Sequence, residues 1–225
     1  MTISNISVEV VRKNIKSLRL TVYPEGGRIR LSAPHHVSDE DIRLMLASRV
    51  SWIKQKQANI EQLPRYVEPQ YVSGAYHSYR GKRYLLKVVE RQGKHELALD
   101  GDKIIIYVRP NTSKEKRALV FDRYYRQQLA TEISCLLKIW QPIIKKPVNF
   151  CGIKKMKTKW GSCNITDKRI WLSLALAKKP AACLEYVLVH EMVHLHERYH
   201  NANFRRLMDQ FLPGWRLMND ILQGR

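Results

Sequence analysis

No Cys-x-x-Cys pair occurs in the chain, although it has four cysteines, at 135, 151, 163 and 183. A paired zinc-finger ligand set and a redox dithiol are thereby excluded, and a disulfide framework has no place in a cytosolic chain of this size. The four are expected to be small buried hydrophobes. Long apolar runs are also missing. No stretch approaches a membrane span, and the start, MTISNISVEVVRKN, has neither a basic segment leading into an apolar one nor a small-residue cleavage site. The expected location is cytoplasmic, with no membrane partner. Sequence repeats and low-complexity segments are absent, which predicts an ordered chain throughout.

Acidic residues are scarce. Twenty Asp and Glu face 40 Lys and Arg, for a formal charge of +20. Between Glu132 and Asp167 there is no acid at all, while Lys138, Lys145, Lys146, Lys154, Lys155, Lys157 and Lys159 lie there. Such a field concentrates polyanions, so nucleotides, and nucleic acid bound nonspecifically through a basic surface, are candidate partners.

The 225 residues, 44% hydrophobic and 27% charged, have the profile of a soluble globular chain with one sizeable domain or two small ones. Ile6, Val8 and Val10 alternate, as do Leu18, Leu20 and Val22, then Ile29, Leu31 and Ala33. This predicts three strands, with PEGG turning the chain between the last two. Arg19, Arg28 and Arg30 fall on the opposite face and predict a basic sheet surface. SDED opens a helix, with Ser38 and Asp41 in capping-box-like positions and Ile42, Met45, Leu46, Val50 and Ile53 at helical spacing, ending before Pro64. LPRYVEPQ (63–70) reads as a connector. Three more strands follow in KRYLLKVVERQGKHELALDGDKIIIYVRP, with DGD as a hairpin turn. A long amphipathic helix then carries Ala118, Phe121, Tyr125, Leu129, Ile133, Leu136 and Trp140 on one stripe and is expected to stop at Pro142. Short strands near 147–152, 155–160 and 169–175 precede helices from about Pro180, from about Asn203 to Phe211, and after the Pro-Gly pair at 213–214. The class is α+β. It comprises a β-sheet plus helix over 1–65, a β-rich middle over 66–110 and a C-terminal region over 111–225, or all of these as one unit.

Four of the eight histidines fall within 190–200, in an otherwise apolar stretch. His190-Glu191-Met192-Val193-His194 matches H-E-x-x-H, where residues four apart share a helical face and can grip one metal ion. Glu191, beside the first ligand, can contact a metal-bound water rather than the metal, the position a general base needs. Catalytic zinc takes three protein ligands and keeps one position open. If the helix ran on, Glu197 would share the face; His200 reaches only if the chain turns; His196 points away. The spacing H-E-x-x-H-x5-H favours His200, although zinc peptidases of the metzincin type have Gly at the turning position, where Glu197 stands. Asn201 and Asn203, tolerant of left-handed backbone and good N-caps, are expected to supply the turn.

KTKWGSCN, IWLSLALAKKP, EYVLVHEMVHLHERYHNANF and LRLTVYPEGGRIRLSAP together resemble the YgjP-like family of bacterial metal-dependent hydrolases, which is similar to SprT-like and other zincin peptidases. The resemblance covers nearly the whole chain. It implies a zincin-like C-terminal region, one zinc or other divalent metal per chain, His190, His194 and His200 as ligands, and Glu191 as the catalytic residue. Lys159, where many relatives have Arg, and Asn164, where Ser is common, are small departures. Trp160, Gly161 and Ser162, with Lys157 and Lys159, are candidates for substrate binding. The segment is expected to enter a Gly turn beside a sheet whose edge pairs with an extended substrate, and packing in the core is the alternative role for Trp160. Cys163 has no basic partner at fixed spacing and is not read as a nucleophile.

The expected activity is that of a zinc-dependent hydrolase with a metallopeptidase-type site, its metal-bound water activated by Glu191. Two alternatives stand beside it. One is a nucleoside triphosphate pyrophosphatase, UTP to UMP and pyrophosphate, a reaction also linked to the family, with the lysine run binding phosphate. The other is a DNA-associated protease, or a nucleic-acid-binding protein whose metal is structural.

Overall fold

The computed structural model describes residues 1–23, 27–62 and 70–224, without the side chains of 59–62. Two compact units emerge, Met1–Val67 and Glu68–Arg225. In the first, β1 (Thr2–Ile3), β2 (Ile6–Arg12), β3 (Arg19–Val22) and β4 (Ile29–Ala33) form a sheet in the order β1-β2-β4-β3. Its alternation buries Ile6, Val8, Ile29, Leu31 and Ala33 against Ile42, Leu46 and Ile53 of the following helices. The expected basic surface is partly neutralised, because the Glu9 carboxylate accepts two 3.0 Å bonds from Arg30 and lies 4.0 Å from Arg28.

The expected single helix is two, α1 (Asp39–Ser48) and α2 (Val50–Gln62). Ser38 caps α1 through a 3.0 Å bond from the Asp41 N–H. The break has a local cause. Ser48 donates its hydroxyl to the Met45 carbonyl at 2.8 Å, and the Arg49 N–H tightens onto Leu46 at 3.0 Å, with Arg49 at φ −108°, ψ 2°. Residues 24–26 of the expected PEGG turn (24–27) and 63–69 of the expected connector (63–70) lie outside the described residues.

The second unit opens with β5 (Tyr76–Tyr79), β6 (Lys82–Glu90), β7 (Glu96–Asp100) and β8 (Lys103–Val108), in the order β5-β6-β8-β7. This repeats the first sheet's topology: an antiparallel pair, a parallel pair, an antiparallel pair. Each begins with a two-residue turn of positive φ, Ser4-Asn5 (49°, 65°) and Arg80-Gly81 (53°, 78°), the twist that two-residue hairpins favour. Each sheet is followed by a Ser-capped helix. The repeat lies in the topology, where no sequence repeat was visible. DGD makes the expected hairpin, with Asp100 paired to Lys103.

Helix α3 (Lys114–Ile144) buries Phe121, Tyr125, Leu129, Ile133 and Trp140 as the stripe predicts. It runs two residues past Pro142 instead of stopping there, ending at the left-handed Lys145 (φ 57°). A proline this close to the end removes one backbone bond, and burial of Ile144 holds the last turn. Strands β9 (Phe150–Lys154), β10 (Gly161–Asn164) and β11 (Arg169–Ser173) form a third sheet in the order β10-β11-β9. The strand expected over 155–160 is absent. The strand is the Gly-Ser-Cys segment itself, so Gly161 is extended and not at a turn, and Gly161 to Asn164 pair with Leu172 to Arg169. A 3-10 segment (Leu174–Lys178) leads to α4 (Ala181–Val193), α5 (Ala202–Phe211) and α6 (Trp215–Gln223). Of the cysteines only Cys183 is fully buried; Cys151 and Cys163 are half-buried and Cys135 is exposed. No described helix is long and apolar enough to cross a membrane.

The β5–β6 turn rests on the approach to α4. Arg80 and Gly81 donate their N–H groups to Ala177 and Lys178 at 2.9 and 3.2 Å, and a Cβ on Gly81 would lie 2.9 Å from Pro180 Cγ. Gly81→Ala therefore meets both a left-handed backbone and a collision. It should lower the stability of the second unit by about 1–3 kcal/mol in denaturant unfolding.

Candidate metal centre

Helix α4 is the most enclosed element of its unit. Cys183, Leu184, Tyr186 to Val189 and Glu191 to Val193 are all buried, and α3, α5, α6, β10, β11 and the 3-10 segment pack around it. Its apolar face alone would make a core helix; His190 and His194 sit on the part that borders a cleft of about 520 Å³. The helix stops at His194, whose N–H goes to the His190 carbonyl at 3.3 Å, followed by tight Leu195→Met192 and His196→Val193 bonds of 3.0 and 2.9 Å.

The turn that brings His200 back is made by side chains. Glu197 accepts from the Tyr199 N–H at 3.2 Å and from Asn203 Nδ2 at 3.3 Å, and Asn201 caps α5 by accepting from the Phe204 N–H at 3.0 Å. No residue from 194 to 203 has positive φ, so the expected left-handed asparagine is not there; Asn201 has φ −83°. Glu197 organises the turn and stands outside the histidine cluster.

His190, His194 and His200 converge, with one ring nitrogen of each within 4.8 Å of the others. Nε2 of His190 and Nε2 of His200 are 2.9 Å apart. His194 Nδ1 lies 3.1 Å from the Glu197 carbonyl, leaving its Nε2 for the cluster. His196 points away and bonds the Ile144 carbonyl at 2.8 Å. Three imidazoles on one tetrahedral ion have nitrogens about 3.3 Å apart, inside the observed range. Burial pushes His190 down to about 3, helped by His194 and His200, and burial also lowers His194. Both shifts favour the neutral imidazole that binds a metal. The donor set thus fits one divalent ion of the zinc kind.

The rings are held mainly by packing. Phe204 lies 4.9, 4.8 and 4.8 Å, ring to ring, from His190, His194 and His200. His190 Nδ1 is buried without a hydrogen-bond partner among the described residues, and its ring meets Tyr186 edge-on at 5.7 Å. Glu191 is 6% exposed. Burial raises its carboxyl to about 8 against the opposing charge of Lys159, so the site favours the protonated form.

Of the residues singled out for substrate binding, Lys159, Trp160, Gly161 and Ser162 line the cleft and Lys157 does not. The rest of the nearby lysine run is turned elsewhere, with Lys155 paired to Asp122 at 2.5 Å and Lys154 over the Trp171 ring at 4.8 Å. Strand β10 is an edge, paired on one side to β11. Sequence reasoning missed Tyr186, Arg198, Asn219 and Phe204. Tyr186 donates its hydroxyl to Asn219 Oδ1 at 3.3 Å and stacks on Trp215 at 6.1 Å, tying α6 to the cleft. The only signal for any of these was the Phe204/Met208 spacing on α5.

A family profile described as YgjP-like, metallopeptidase domain, matches residues 16–225. Among solved structures the chain is similar to the metallopeptidase zymogen abylysin of Pyrococcus abyssi, with TM-score 0.38 and 22% identity, covering 41% of this chain and 92% of that one. It is also similar to the zymogen jannalysin of Methanocaldococcus jannaschii, with TM-score 0.36 and 19% identity, covering 41% and 95%. No curated protein matches it in sequence.

The shared contact makes Phe204 the support of the whole cluster. Phe204→Ala should cost about 3–5 kcal/mol in denaturant unfolding, the range for deleting a buried aromatic ring.

Proposed function

Because the chain belongs to the YgjP-like family and carries its metallopeptidase domain, we propose that it is a zinc-dependent peptidase that uses Glu191 as its proton acceptor. The observation that carries this reading is the combination at one cleft of three converging imidazoles, a buried carboxyl of raised proton affinity, and a sheet edge.

His190, His194 and His200 are the metal ligands in this reading. The chemistry a zinc ion supplies at such a place is Lewis acidity, polarising a carbonyl oxygen and lowering the pKa of a water to about 7. The chain's own residues do the rest. An extended peptide adds to the free edge of β10 through main-chain hydrogen bonds, which sets its scissile bond across the cleft. Glu191 takes the proton from the attacking water and hands it to the leaving amine. Tyr186, its hydroxyl already committed to Asn219, walls the side of the cleft next to His190 and excludes solvent there.

A peptide is preferred over UTP or a DNA-tethered substrate on a specific ground. Among the described residues two cations border the cleft, Lys159 and Arg198, and the other lysines between Glu132 and Asp167 do not. A triphosphate carrying several charges calls for more cationic donors than that.

The test is activity of the zinc-loaded protein against an unfolded protein and against UTP in parallel, with Glu191→Gln as the blank. Cleavage of the protein that is lost in the blank is the expected result; pyrophosphate released from UTP and lost in the blank would overturn the peptidase reading. Glu191→Gln should keep fold and zinc while turnover falls roughly 10²-fold or more; full activity in it would remove Glu191 from the mechanism.

Zinc content tests the ligands separately. His190→Ala, His194→Ala and His200→Ala should each lose the stoichiometric zinc, and Glu197→Ala should keep it. Retention in His200→Ala together with loss in Glu197→Ala would exchange the third ligand.

A further inference from the structure

The Trp-Gly-Ser-Cys segment has no role in the metal cluster, yet its glycine meets Glu191 at closer range than any side chain could tolerate. The register fixes which way residue 161 faces. Gly161 is paired with Leu172 and Cys163 with Ile170, and Leu172 and Ile170 are fully buried on the core side of the sheet. Cross-strand partners share a face, so residue 161 presents its Cα toward α4. A Cβ there would lie 2.5 Å from Glu191 Oε1, 2.7 Å from Cγ and 2.9 Å from Cδ. Real Cβ contacts are not that short, and Glu191, 6% exposed, has little room to give way within the core. Its open direction is the cleft.

We propose that Gly161 is the positioning residue for Glu191: its missing side chain lets the strand backbone lie flat against the carboxyl and hold it at the reacting position. The proposal rests on the assignment of Glu191 as proton acceptor. It also gives a reason for the glycine that neither turn geometry nor backbone strain supplies, since Gly161 is extended within β10 and absent from the positive-φ residues. The side chain at 161 points perpendicular to the sheet, whereas a substrate strand would pair in the plane of the sheet at the edge. A methyl group at 161 should therefore disturb the carboxyl and leave peptide docking alone.

The experiment is a double-mutant cycle on Gly161→Ala and Glu191→Ala, read first as unfolding midpoints of the metal-free chain and then, for Gly161→Ala alone, as kinetics. Gly161→Ala should lower the midpoint when Glu191 is present and have little effect in the Glu191→Ala background, where the space is free. With peptide substrate, Gly161→Ala should bind zinc normally and keep KM within about threefold while kcat falls about 10- to 100-fold, the cost of misplacing a reacting group by an ångström. Equal midpoint losses in both backgrounds, or full kcat in Gly161→Ala, would overturn the proposal. If Gly161→Ala alone fails to fold, recovery of folding in the double variant supports the contact and failure of the double variant refutes it. Undiminished turnover in Glu191→Gln would instead strike the assignment of Glu191 and leave the unfolding cycle to decide the contact by itself.

Discussion

The second unit is arranged around one conflict: α4 must pass through a packed apolar interior while carrying two imidazoles and a carboxyl. Each polar group buried without a partner costs free energy, and a buried charge costs more. The surrounding elements meet that cost in different ways. Burial biases the His190 and His194 imidazoles toward the neutral form, and both pack on Phe204. The carboxyl is driven toward its protonated form by burial and enclosed against the backbone of β10 at a position without a side chain. The chain beyond α4 turns back so that His200 closes the cluster, and Glu197 supplies the bonds that make the turn possible.

Support for α4 comes from both ends. Its start is set by Pro180, against which the β5–β6 turn is wedged. Trp140 donates its indole N–H to Glu185 at 3.0 Å, so α3 is fixed to the middle of α4 on the side away from the cleft. Asp209 holds Trp215 and Arg216 at 2.8 and 2.5 Å, and Trp215 then stacks on Tyr186. The topological duplicate of the first sheet thus serves in the second unit as a footing for the helix that bears the histidines.

What the sequence revealed follows the range of the interactions involved. Period-two alternation located β2, β3 and β4, the 3.6-residue stripe located α3, and i, i+4 histidines located the centre, because each signal lies within one element. The failures lie where an outcome was decided elsewhere in the fold. Pro142 did not end α3, since burial of Ile144 outweighed one missing hydrogen bond. Gly161 suggested a turn because glycine is permissive, but here it answers a close approach from a helix thirty positions later in the chain, which no local pattern encodes. Glu197 suited the metal by helical spacing and was diverted because the helix ended first. Tyr186 and Asn219 meet only through the docking of α6.

The charge of +20 bears on this centre less than its size suggests. Some of the cations are placed over aromatic rings, among them Lys154 on Trp171, Lys179 on Trp160, Arg216 on Trp215, Arg91 on Tyr107 and Arg83 on Tyr76, at 3.9 to 5.5 Å. In those places a long side chain covers an apolar face, and the charge remains at the surface, screened within about 8 Å at physiological salt. Lys159 differs, because its charge acts on Glu191 and lowers the proton affinity of the carboxyl. The carboxyl nonetheless rises to about 8, so desolvation exceeds the attraction of that neighbouring cation. The raised proton affinity of Glu191 therefore comes from its burial, and the one cation that acts on it opposes the shift.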